Sequence, residues 1–110
     1  RQIIGCNYLI GISTHSINEI KKAELNGADY LGVGPIYPTS SKPELIPLGV
    51  NYVEEAAKNT TLPWFAIGGI KSSNIKEIRS SGAQRIAVIS AIMNSSNPRL
   101  ASKELLEMMH

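Results

Sequence analysis

The sequence predicts a parallel α/β fold, and three observations carry that prediction. Four short, nearly continuous apolar runs recur along the chain: residues 8–12 (YLIGI), 30–33 (YLGV), 64–67 (WFAI) and 85–89 (RIAVI). Runs of this kind, unlike alternating ones, fit parallel strands buried on both faces. Each run is followed by a helical signal, so strand and helix alternate four times. The third observation is a weak internal repeat. Residues 26–33 (NGADYLGV) resemble residues 81–88 (SGAQRIAV) at an offset of 55, and at that offset Ile12 meets Ile67 and Ile20 meets Ile75. The repeating unit is then two βα pairs, with chance similarity between βα units as the competing explanation. At roughly 27 residues a pair, eight pairs need ~220, close to the usual size of a (βα)8 barrel. Four pairs cannot close one. The chain is expected to be either half such a barrel or a small open sheet of the flavodoxin type.

Each helix has its own signals. Ser16 and Glu19 have the spacing of a capping box, Gly27 ends the helix in a left-handed turn, and Ile17, Ile20, Ala23 and Leu25 supply its buried stripe. A second helix is expected over about residues 51–58, ahead of Pro63. The third follows Ser72 and stops at Gly82. The last has Asn97 as cap, Pro98 at the first helical position, and Leu100, Leu105 and Met108 on its inner face.

Length and composition bound the function. A chain of 110 residues is one domain or part of one, and 43% hydrophobic residues suffice for a core. A net charge of +2 and 5% aromatic residues argue against a nucleic-acid partner. The single cysteine, Cys6, cannot form an internal disulfide and reads as apolar filler, which fits a reducing, cytoplasmic setting. No apolar run reaches the ~18 residues of a membrane span, so no membrane partner is expected. The chain opens at Arg1 rather than at a methionine, and the expectation is a piece of a longer protein.

The polar residues cluster just after the apolar runs. Ser13, Thr14, His15 and Ser16 follow the first; Thr39, Ser40, Ser41 and Lys42 lie in the long loop after the second; Gly68-Gly69 follows the third and Ser90 the fourth. Ligands of parallel α/β folds bind at the carboxyl ends of the strands, so the four clusters are expected on one rim. Its chemistry is that of phosphate. Gly68-Gly69 lets backbone N–H groups approach an anion just before a helix N-terminus, and Ser90 offers a hydroxyl and an amide at the matching turn. A tight turn into a helix would also call for two glycines. The loop holds Pro35, Pro38 and Pro43, which restrict the backbone before binding, and then three hydroxyls and a lysine suited to a pyrophosphate. An ordinary polar surface loop is the plainer alternative, though its length favours function. His15 has no acidic neighbour to orient it as a base and is read as packing or capping. Asp29 and Glu44 are too isolated for a metal pair. Lys21 and Lys22 read as a solvated helix face, and Trp64 as packing.

These motifs resemble those of one family. Residues 11–16 (GISTHS), 28–39 (ADYLGVGPIYPT) with Lys42, 66–70 (AIGGI) and 88–90 (VIS) are similar, in order and spacing, to thiamine phosphate synthase. The resemblance covers the C-terminal half of that family, the fifth to eighth units of a (βα)8 barrel, with residues 1–110 as that single half. It implies joining of hydroxymethylpyrimidine pyrophosphate to hydroxyethylthiazole phosphate, with release of pyrophosphate. By the same resemblance, Ser13 and Lys42 would hold the pyrophosphate and serve catalysis, with Lys42 meeting the charge as it develops. Thr39, Ser40 and Ser41 would contact the thiazole phosphate, and Gly69, Ile89 and Ser90 would bind its phosphate through backbone N–H groups. The cofactor implied is Mg²⁺, whose ligands belong to the family's N-terminal half, so no metal ligand is expected here. The chain alone is expected to be inactive, and to associate with its missing half or with itself through exposed strand edges. A thiazole tautomerase of the same fold is disfavoured by Pro35 and Lys42. A non-catalytic α/β binding or interaction module fits the length but leaves the phosphate rim unexplained, and a non-catalytic phosphate-binding α/β fragment stays as an alternative.

Overall fold

The computed structural model describes residues 9–39, 44, 46–88, 92 and 95–109. In these residues strand and helix alternate as expected: β1 (Gly11–Thr14), α1 (Ile17–Leu25), β2 (Tyr30–Val33), α2 (Val50–Asn59), β3 (Trp64–Ile67), α3 (Ile75–Ser80), β4 (Ile86–Ala87) and α4 (Pro98–Met109). The strands form one parallel sheet in the order β1-β2-β3-β4. Every crossover steps one strand in the same direction, so right-handed connections put all the helices on one face. A flavodoxin-like sheet reverses its strand order and carries helices on both faces. The described strands contain no such reversal.

Burial follows from this one-sidedness. Leu31, Val33, Trp64 and Ala66 project toward the helices and form the core with Ile20 and Ala23 of α1, Val53 and Ala56 of α2, Ile75 and Ile78 of α3, and Leu105 of α4. The alternate strand residues project the other way, and there Gly11 and Ser13 are exposed while Gly32, Phe65 and Ile67 are half-buried. The register sets Gly11 beside Tyr30 and aligns Ser13, Gly32 and Phe65 in one row. The Tyr30 ring meets Phe65 edge-on, with centroids 6.0 Å apart and an interplanar angle of 77°. One face is therefore covered by helices and the other is open among the described residues.

The internal repeat has a structural cause. At the end of α1, Gly27 N–H donates to Glu24 O and Ala28 N–H to Ala23 O. At the end of α3, Gly82 N–H donates to Arg79 O and Ala83 N–H to Ile78 O. Both are Schellman stops, each turning on a glycine with positive φ, 87° and 115° respectively. Shared helix-stop chemistry accounts for the N/S-G-A match, and the apolar residues after it form β2 and β4. Ser16 caps α1 by accepting from Glu19 N–H, while Glu19 reaches back to the N–H of His15 rather than that of Ser16. Asn97 caps α4 through Leu100 N–H.

Three expected boundaries or faces shift. The first strand begins later than residue 8, because the Ile10 backbone is held by Asp29, its N–H by the carboxylate at 2.7 Å and its carbonyl by Asp29 N–H at 2.8 Å. It runs on through Ser13 and Thr14, and the wholly buried Thr14 donates its hydroxyl to Gly32 O. Leu25 and Leu100 are 87% and 50% exposed rather than inward. Each stands five residues from a buried residue of its helix (Ile20, Leu105), a rotation of about 140° around the axis. Finally, α3 starts at Ile75 after a turn at residues 72–74.

Candidate functional site

The carboxyl ends of β1, β2 and β3 are tied together by their own backbones. Gly34 N–H donates to Thr14 O, Ile36 N–H to Ile67 O at 2.9 Å, and Tyr37 N–H to Gly68 O at 3.1 Å. The loop after β2 is also closed at its base, since Leu48 N–H donates to Pro35 O and Gly49 N–H to Ile36 O. Gly34, Pro35 and Ile36 are buried, and the Gly34-Pro35 peptide is cis. The loop is therefore anchored in the sheet at its root, as its prolines imply. Ser13 stands exposed on the open face beside Gly32, Thr39 is half-buried on the loop, and Gly69 follows β3. These three expected site residues share one rim. Ser40, Ser41, Lys42, Ile89 and Ser90 lie outside the described residues.

Gly68 and Gly69 also have a packing reason beside the one read in the sequence. Both have positive φ, 103° and 66°. A Cβ on Gly68 would stand 2.6 Å from Pro35 Cα, and one on Gly69 would lie 2.8 Å from Tyr37 Cβ and still nearer Pro38 O. The space freed by the missing side chains is thus filled by the β2 loop. The N–H of Gly68 faces the Ala87 carbonyl of β4, and that of Gly69 has no acceptor among the described residues. Nor does a helix begin directly behind Gly69, because a turn separates it from Ile75; the helix-terminus contribution expected there is corrected.

Several residues of the rim escaped sequence reasoning. Asn74 donates from Nδ2 to Gly69 O at 2.9 Å and accepts Lys71 N–H on Oδ1 at 2.9 Å. The Tyr37 hydroxyl donates to Glu77 Oε1 at 2.5 Å, and burial, then that bond and the Glu77 charge, hold its phenol well above the usual range. His15 Nδ1 lies 2.6 Å from Gly34 O, so Nδ1 carries the proton and the ring caps that carbonyl, in line with the capping role expected of it. Asp29 is occupied at the opposite end of the sheet. Among the described residues no three His, Cys, Asp or Glu converge. No described helix is long and apolar enough to cross a membrane. Polar contacts between residues some 40 positions apart, such as Tyr37 with Glu77, leave no local pattern to read; Asn74, five residues past Gly69, could have been noticed as a turn residue.

A family model described as thiamine monophosphate synthase matches residues 1–92. The chain is 55% identical over 107 residues to the thiamine-phosphate synthase of Prochlorococcus marinus strain MIT 9313, which covers 97% of this chain and 30% of that protein. It is 44% identical over 110 residues to the thiamine-phosphate synthase of Shouchella clausii, covering 99% of this chain and 53% of that one. A solved structure, thiamine phosphate pyrophosphorylase from Pyrococcus furiosus, superposes with a TM-score of 0.88 at 36% identity, over 98% of this chain and 52% of that one. The chain spans between 30% and 53% of the length of these relatives.

Proposed function

Because the chain belongs to the thiamine monophosphate synthase family, we propose that it supplies the phosphate-binding half of a site that makes thiamine phosphate. In that reaction the bond between the pyrimidine methylene carbon and a pyrophosphate oxygen breaks, its electron pair leaving with pyrophosphate. The thiazole nitrogen of hydroxyethylthiazole phosphate then donates its lone pair to the pyrimidine cation. The chemistry assigned to this chain is the holding of two anions by fixed donors. Ser13 and Lys42 hold the departing pyrophosphate. Thr39, Ser40 and Ser41 contact the thiazole phosphate, with the amides of Gly69, Ile89 and Ser90 on the same group.

The observation that carries the reading is the hydrogen-bonded junction of three strand ends, which sets Ser13, the root of the 34–49 loop and Gly69 on one rim. The half-barrel reading is supported by the strand order, by the open sheet face with Tyr30, Phe65 and Ile67 on it, and by relatives about twice as long. On this reading the open face is covered by the other half of the barrel, or by a second copy where that half is missing. Following the family resemblance, the proposal places the ligands of the family's Mg²⁺ in the N-terminal half of the barrel. The small phosphorylated substrates fit a cytoplasmic setting.

A synthase assay on the full-length protein, with both substrates and Mg²⁺, tests the proposal. Lys42→Ala is expected to lower kcat at least about a hundredfold, the scale set by removing a transition-state donor. The 110-residue chain by itself is expected to form no product. Undiminished kcat in Lys42→Ala would overturn the role of the loop, and activity from the isolated chain would overturn the half-site.

A further inference from the structure

Three consecutive carbonyls around the Gly68-Gly69 turn are committed. Ile67 O accepts Ile36 N–H, Gly68 O accepts Tyr37 N–H, and Gly69 O accepts Asn74 Nδ2. In a trans peptide the carbonyl and the N–H of one plane point in opposite directions. The N–H groups of Gly68, Gly69 and Ile70 are therefore turned away from those partners; that of Gly68 faces the Ala87 carbonyl of β4, while those of Gly69 and Ile70 have no acceptor among the described residues. Two of the three orientations are set by backbone of the β2 loop. The third depends on one side chain.

We propose that Asn74 is a positioning residue for the phosphorylated substrate: by holding the Gly69 carbonyl, it aims the Ile70 N–H as a further donor beside that of Gly69. The proposal rests on the phosphate reading given above. Asn is suited to the task because one amide does two things at once. Its oxygen takes the Lys71 N–H and its nitrogen holds the Gly69 carbonyl, both at 2.9 Å, and only one orientation of the amide satisfies both. Without the Nδ2 donor, the 69–70 peptide plane would be free to rotate beside a flexible glycine. A carbonyl facing the anion would then replace a donor with an acceptor.

The test uses the full-length protein, with inorganic phosphate as a competitive inhibitor against the phosphorylated thiazole and Gly69→Ala as the probe of the turn. Asn74→Ala is expected to raise both the Ki of phosphate and the KM of the thiazole phosphate about tenfold, the scale of one hydrogen bond to a charged group, with kcat changed less than about threefold. Asn74→Ser keeps a neutral hydroxyl near Lys71 N–H but is too short to hold the Gly69 carbonyl, so it should reproduce the shift even if Asn74→Ala folds poorly. Wild-type Ki and KM in Asn74→Ser, with only the melting temperature lowered, would make Asn74 a structural residue and overturn the proposal. If phosphate fails to compete in the wild type and Gly69→Ala leaves KM unchanged, the phosphate reading itself fails and the proposal falls with it.

Discussion

Gly34→Ala is expected to be among the most damaging single-methyl additions in this chain. Gly34 does not have a positive φ, so an alanine there meets no backbone penalty. The cost is steric. A Cβ at this position would sit against the Ile67 carbonyl, well under 3.0 Å from its oxygen and 3.0 Å from its carbon. That oxygen is the acceptor for Ile36 N–H, and backbone cannot swing aside as a side-chain tip can. The β2 loop must move away from β3, losing that bond and straining the one from Gly34 N–H to Thr14 O. Overpacking of this kind costs about 1–3 kcal/mol, and each weakened hydrogen bond about 0.5–1.5 kcal/mol. The expected loss is about 2–4 kcal/mol, a large share of ordinary domain stability. Gly32→Ala is the matched control, since its Cβ would approach only the mobile end of Ile67, Cδ1 at 2.9 Å, and the cost should stay within about 1 kcal/mol. Urea denaturation followed by circular dichroism reads both, with the m-value as the check that the unfolding reaction is unchanged. Equal midpoints for the two variants would refute the reasoning.

The paired helix stops make a second prediction: Gly27→Ala and Gly82→Ala should each lower stability by about 1–2 kcal/mol, the cost of a left-handed non-glycine residue, and the double variant should lose the sum, all read by thermal denaturation. The Tyr52 hydroxyl is buried with no hydrogen-bond partner among the described residues, so Tyr52→Phe should leave stability unchanged or raise it by up to about 1 kcal/mol. Burial, then the Glu19 charge, pushes the Tyr52 phenol from 10.0 to about 12, so the fold favours its neutral form. Its contribution is whole below pH 10 and is lost as the pH rises toward 12. Melting temperatures across that window should fall less steeply in Tyr52→Phe than in the wild type.

What could be read from the sequence was what depends on near neighbours. The cap at Ser16, the cap at Asn97 and the glycine stops each involve residues within five positions of one another, and all four stand in the structure, although Glu19 closes on His15 N–H rather than completing the capping box at Ser16. The parallel α/β class was legible because four apolar runs alternate with helical signals. Facing was less legible. Leu25 and Leu100 looked inward because they are large and apolar, yet the helical repeat rotates them out of the stripe through Ile20 and Leu105. The continuous runs likewise concealed that one sheet face is open, since Phe65 and Ile67 are as apolar as Trp64 and Ala66. Burial on that face depends on what else covers it, which a single strand does not encode.

The two readings of Gly68-Gly69, tight packing and anion binding, are one device. A left-handed residue at 68 lets two successive carbonyls, Ile67 and Gly68, face the same neighbour, the backbone of Ile36 and Tyr37. A regular strand would alternate them between its two neighbours. With both carbonyls spent on the β2 loop, the N–H groups of Gly68 and Gly69 both turn to the other side, that of Gly68 toward Ala87 of β4 and that of Gly69 beyond the end of the strand. The loop that carries Thr39 and Lys42 is thus held, through Gly68 O, by the peptide plane whose N–H, that of Gly69, is proposed to bind phosphate. Ordering one orders the other, and a substitution that loosens the root of the loop, such as Gly34→Ala, should therefore raise the KM for the thiazole phosphate as well as lower stability, although Gly34 itself is buried.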